Sequence, residues 1–285
     1  MSQWLTLSPC APAALQETIH SLHHAAQFLA STAESLLPHQ ADDSHTNLGW
    51  DSQKNALISH PLANRFQLAL EYSTFSLAIL EEGLVKTRFF LAGHNQQEVY
   101  NWLQTTFNEL GLDGSSISAL NRYDIPKHVI QEGQPFASLS EEILRELANR
   151  RNNAQEFFVS IAPEYPYASS IRTWPHHFDI GVYIPIRRDE THQDLNSIGL
   201  GMAVPDGSAN DMYFYVNHWS KQSLQLPNTL PALDSGGHWI TEGWTGAVLP
   251  LQVVTASAKP HDQQEIVQTF FDSAIKASLS LIGEK

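Results

Sequence analysis

Two adjacent histidines and an aspartate stand in the stretch WPHHFDIG, residues 174–181. If the segment from His176 is extended, alternation puts His177, Asp179 and Gly181 on one face and His176, Phe178 and Ile180 on the other. The second set is mostly apolar and is expected to face the core. His-x-Asp on one face can give two ligands to a metal, or a general base with its orienting carboxylate. The bland alternative is a histidine–aspartate pair on an ordinary solvated sheet face. A second stretch, SGGHWITEGWTGA (235–247), places His238 and Glu242 among four glycines and two tryptophans, Trp239 and Trp244. Glycine lets the backbone approach a ligand, and indole rings make a broad apolar wall. A glycine-rich hairpin with cross-strand aromatic packing would look the same.

Weaker signals lie around these two. In DMYFYVNHW (211–219) Tyr215 shares a face with Tyr213 and Asn217, and an aromatic core strand is the plain reading. Arg172 is the basic residue beside the first motif, a candidate partner for Asp179 or for a carboxylate ligand. DDSHTNLGWD (42–51) resembles a metal loop loosely, but Asp and Asn before a strand more commonly make turn hydrogen bonds. His20 and His24 have i,i+4 spacing without the glutamate of a zincin helix. With His23 they are expected at the surface or boundary of a helix. No phosphate-binding loop, nucleophile elbow or paired-cysteine motif is present. GLGMAV (199–204) begins like a dinucleotide fingerprint but lacks its third glycine and lies within a strand pattern.

The elements that must hold these residues follow from periodicity. Leu15, Ile19, Leu22, Ala26, Leu29, Ala33 and Leu36 form one helical stripe, ended by Pro38. Short strands are expected at 45–60. Alternation over RFQLALEY, FSLAIL and VKTRFFL predicts an antiparallel meander. NQQEVYNWLQTTFNELGL returns to helix, and residues 112–137 read as a connector. A third helix follows from 138, with a capping box expected from Ser138 to Glu141. Strands come next, with PDG (205–207) as a turn, and a last helix runs from Pro260 to near Gly283. The fold class expected is α+β, as two helix–antiparallel sheet–helix modules in a layout that a duplication would produce. The modules are 1–112 and 138–285, joined by a connector at 113–137.

Composition narrows the function classes. The 285 residues carry a net charge of −14, with 6 Lys/Arg against 13 Asp/Glu in 1–137 and 10 against 17 in 138–285. Acidity in both halves argues against nucleic acid and against an anionic membrane surface. A single cysteine, Cys10, allows no internal disulfide, and the start of the chain has no secretory pattern. Apolar runs such as GAVLPL fall far short of the roughly 18 residues of a membrane span. A cytoplasmic protein is expected.

The motifs DDSHTNLGWD, WPHHFDI, SIGLGM and GGHWITEGWTGAVL, in this order, resemble those of a bacterial protein family without an assigned activity. Residues 45–111 are similar to the first half of a wider bacterial domain family of unknown function, which has a comparable half-and-half layout and a histidine–phenylalanine segment in its second half. The resemblance implies a cytoplasmic bacterial protein and brings no residue role.

The leading expectation is a small-molecule pocket in the second module. Trp174, Trp219, Trp239 and Trp244, each close in sequence to a histidine, would wall it. Arg172, Trp174, His176, Tyr215, Trp239 and Trp244 would bind the ligand. A divalent metal such as zinc would take His177, Asp179 and His238. Asp179 and Glu242 would act as carboxylate proton shuttles for a metal-bound water, giving a hydrolase. A non-catalytic protein binding a sugar or a cationic metabolite fits the same residues, and so does a structural or assembly protein. Oligomeric state is left open.

Overall fold

The computed structural model describes residues 4–119, 123–222, 224 and 226–284. Helices and two antiparallel sheets make it an α+β protein. Two compact units interleave along the chain. The first holds 1–9, 152–171 and 179–285, and the second holds 10–151 and 172–178. Among the described residues, no helix is long and apolar enough to cross a membrane.

The second unit opens with helix α1, Pro12–Leu36, with proline in its first turn. The expected stripe is buried, and so are His23 and His24, each no more than 3% exposed. Their expected place at the surface or boundary is therefore wrong, because α1 is enclosed on every side between Ser21 and Ala33. The meander forms as strands β1 Gly49–Asp51, β2 Ala56–Ile58, β3 Phe66–Glu71, β4 Ser76–Glu81 and β5 Leu84–Phe90, paired in sequence order. Register aligns Trp50, Leu57, Leu70, Leu77 and Phe89 across one face. The opposite face carries Gly49, Ile58, Ala69, Ala78 and Arg88. Helix α2, Gln96–Glu109, starts in a capping box between Asn95 and Glu98. Phe28 of α1 meets the Tyr100 and Phe136 rings at 5.0 and 6.1 Å.

Helix α3, Glu141–Ile161, contributes its first part to the second unit and its remainder to the first. Ser140 caps it rather than Ser138, its Oγ lying 3.5 Å from the Ile143 amide. The two-residue strand β6, Arg172–Thr173, closes the second unit, with Thr173 bridged to Leu48 by reciprocal amide–carbonyl bonds of 2.8 and 2.9 Å.

In the first unit the strands are β7 Ile180–Arg188, β8 Asp194–Ala203, β9 Tyr213–Ser220, β10 His238–Ile240 and β11 Gly246–Pro250. They lie in the order β10-β11-β9-β8-β7. After β11 come the short helix α4, Leu251–Val254, and the closing helix α5, Pro260–Leu281. Ile180, Val182, Ile198, Leu200, Met202, Phe214, Val216 and Ala247 form the inner face of the sheet, all buried. Phe271 of α5 meets the rings of Phe157, Phe158 and Phe214 at 4.7, 5.8 and 5.7 Å and is the hub of this core.

Candidate functional site

The first motif is not a strand at its histidines. Pro175, His176 and His177 form a turn closed by the Phe178 amide bonding the Trp174 carbonyl at 2.7 Å, and β7 begins only at Ile180. The expectation that His177, Asp179 and Gly181 share one face of an extended segment is therefore overturned. Distant donors impose the turn. His23 Nε2 and Gln27 Nε2 both donate to the Pro175 carbonyl, at 2.7 and 2.8 Å. Arg151 Nη2 donates to the Phe178 carbonyl at 3.0 Å, and its Nη1 donates to Thr173 Oγ1 at 3.0 Å. Phe178 takes a left-handed φ of 59°. Its ring stacks on His23 at 4.8 Å and under the Arg151 guanidinium at 4.6 Å. A bulky residue held in that region costs of order 1–3 kcal/mol, and these contacts offset it. Burial holds His23 down to about 4, so its imidazole is a neutral Nε2–H donor.

On this buried base the exposed side of the turn gathers aromatic rings. His176 lies 5.9 Å from Trp174, 4.4 Å from His177 and 5.3 Å from Tyr123, measured between ring centroids. Trp174, His176 and Tyr123 are half-buried and His177 is exposed. The Tyr123 hydroxyl reaches Thr46 Oγ1 at 2.9 Å. Beside the turn, the Leu48–Thr173 bridge sets Gly49 opposite Arg172. A methyl group at position 49 would come within 3.3 Å of Arg172 Nη1, so the guanidinium lies close against the glycine. Burial lowers Arg172 from its ordinary value, and no acidic group raises it.

The remaining predicted residues belong to the first unit. Asp179 Oδ2 accepts from the Tyr215 hydroxyl at 2.6 Å. Burial, with Asp179 next, pushes Tyr215 well above the usual phenol range, so it stays a donor. Asp179 Oδ1 is buried and has no hydrogen-bond partner among the described residues. The glycines of SIGLGM explain how the pair forms. Tyr215 lies flat over Gly201 toward Gly181, and Asn217 lies over Gly199, where a Cβ would collide in each case. These glycines seat side chains from the neighbouring strand. Tyr213, bound to Asp206 at 2.8 Å, and Trp244, bound to Ser208 at 3.2 Å, extend the same outer face. Tyr213, Ala203 and Val248 form a small core there with Tyr215, Ile240 and Trp244.

His238 and Glu242 are exposed, while Trp239 turns to the inner face and donates to the Pro231 carbonyl at 2.8 Å. Four strand spacings, roughly 19 Å, separate β10 with His238 from β7, which follows Asp179. Metal–ligand bonds are about 2 Å, so Asp179 and His238 are not brought to one ion. Glu242 lies exposed in the loop between β10 and β11.

Three other donors do meet. Among the described residues, Glu34, His39 and His45 are the group of three whose ligand atoms lie within 4.8 Å of one another, the place where a divalent metal could be held. His45 Nδ1 accepts from the Gln40 amide at 3.3 Å, which leaves Nε2 as the protonated donor to Glu34 at 2.7 Å. A metal could take either imidazole nitrogen, displacing the proton or the Gln40 amide that now occupies it. In this arrangement the group is a hydrogen-bonded histidine–glutamate pair.

Sequence reasoning missed Tyr123, His60 and Gly49. A lone glycine opening a strand was the one available sign of a close approach. No family model, curated protein or solved structure matches this chain.

Proposed function

We propose that the protein binds a small molecule without transforming it, at the ring cluster of Trp174, His176 and Tyr123 beside Arg172. The observation that carries this reading is the rigid turn at 175–177. Three donors from buried α1 and α3 side chains hold the backbone carbonyls of Pro175 and Phe178, while its rings stand half-open to solvent. Preorganised aromatic edges next to a few polar groups are what small-ligand sites use. The hydrolase reading has less support, since Asp179 is committed to Tyr215 and Glu34 to His45.

Thermal-shift screening against a metabolite panel tests the proposal. A stabilising ligand should be recovered unchanged, and Trp174→Ala and His176→Ala should each abolish its effect while Trp239→Ala leaves it intact. Turnover of the ligand, or a shift that survives both first-named variants, overturns the reading.

A further inference from the structure

We infer that Arg172 is an anion-recognition residue, and that the ligand of the site proposed above carries a carboxylate or phosphoryl group. This rests on that reading for the place of the ligand but not for the chemistry of its charged end. Among the described residues Arg172 has neither an ion-pair nor a hydrogen-bond partner, although it is half-buried. That is unusual in a chain with 30 acidic residues against 16 basic ones. A guanidinium has five donors in a fixed fork, and removing it from water without an acceptor is costly. The fold nevertheless makes room for it. The bridge from Leu48 to Thr173 fixes the strand that bears it, and Gly49 opposite leaves a bare backbone against which the guanidinium lies.

The surroundings point the same way. Burial, and next the charge of the nearby Arg172, hold the His60 imidazole below its ordinary value. The His60 ring is anchored by Nε2 to Asn47 Oδ1 at 2.8 Å. Thus a cation, a neutral imidazole and a glycine floor lie together, and what is missing is an acceptor. The planar fork suits a pair of oxygens on one carbon or phosphorus, bound bidentately. Trp174, two residues along from Arg172, gives the apolar wall for the rest of such a ligand.

The test uses the full chain with inorganic phosphate, acetate and benzoate at constant ionic strength, followed through the histidine ring signals by NMR. At least one anion should produce a saturable shift of His60. Arg172→Gln should weaken that anion by at least about tenfold, the loss expected for a charge-assisted hydrogen bond. Gly49→Ala keeps the charge but pushes the guanidinium aside, and should weaken binding by a smaller factor. Melting curves of both variants confirm that they fold. Should Arg172→Gln fail to fold, Gly49→Ala and Arg172→Lys take its place, and equal binding by them and the unmodified protein refutes the assignment. Absence of a saturable response to all three anions refutes it too. The two readings fail separately. Phosphate binding unaffected by Trp174→Ala, with no panel ligand found, sinks the ring-cluster proposal and keeps this one. A neutral panel ligand bound equally by Arg172→Gln does the opposite.

Discussion

Replacing Gly201 by alanine puts a methyl group where the Tyr215 ring lies. The new carbon would sit 2.5 Å from Tyr215 Cε1 and closer still to Cζ and the hydroxyl oxygen. Ordinary carbon contacts are about 3.5–4.0 Å, so the overlap is roughly 1 Å against a rigid ring. The ring cannot yield without breaking the 2.6 Å bond to Asp179, whose other oxygen already lacks a partner. Overpacking costs about 1–3 kcal/mol, and losing a hydrogen bond to a charged group costs about 1.5–3 kcal/mol. Gly201→Ala should therefore destabilise the protein by roughly 2.5–6 kcal/mol. Urea unfolding of the single variant, of Tyr215→Ala and of the double variant gives the assay. With the ring gone, the alanine should be nearly neutral, because β8 has ordinary extended backbone there. The coupling between the two positions should then reach about 2 kcal/mol. A Gly201→Ala cost below about 0.5 kcal/mol, or one unchanged by removing Tyr215, would show that the glycine does not serve to seat the ring.

Other outcomes follow from the same geometry. Arg151→Met should cost about 1–3 kcal/mol in unfolding measurements, since it orphans the Phe178 carbonyl, and lysine should not rescue it because it lacks the fork. The pH dependence of His23 has a definite sign. Its folded value of about 4 lies below the unfolded 6.5, so the unfolded chain binds the extra proton between them. The stability of neutral His23 is full above about pH 6.5 and is lost toward pH 4, by up to about 3 kcal/mol. The gap between the unmodified protein and His23→Gln should change by that amount across the window, and parallel stability curves would contradict it. Zinc uptake at Glu34, His39 and His45 would have to displace the His45 Nε2 proton that Glu34 accepts, so zinc bound there should fall as pH is lowered and be lost in His39→Ala, as metal analysis of untagged protein would read. Bound zinc unchanged by pH and by that variant would place the ion elsewhere.

What the sequence disclosed was set by locality. The α1 stripe and the meander are written in 3.6- and 2-residue periods, so both were legible. Periodicity also read WPHHFDIG as a strand, and there it failed. The turn is imposed by His23, Gln27 and Arg151, and two of these lie some 150 positions away. His23 and His24 looked peripheral because a stripe marks the more apolar side of a helix, whereas α1 is covered on the other side too. The site residues divided for a similar reason. Arg172, Trp174 and His176 lie on one compact unit and Asp179, Tyr215, His238 and Glu242 on the other, a partition that no motif spacing encodes. Gly199 and Gly201 invited a nucleotide-loop comparison, but cross-strand packing accounts for them.

The interleaving of the units bears on how the chain is made. The second unit needs residues 172–178 as well as 10–151, and the first needs both 1–9 and everything after 178. During vectorial synthesis Leu7 emerges long before Gln263, which holds its amide and carbonyl at 2.8 Å. No single scission releases either unit whole. Nascent chains stalled before residue 178 should therefore stay protease-sensitive throughout, and protection should arrive late rather than in domain-sized instalments.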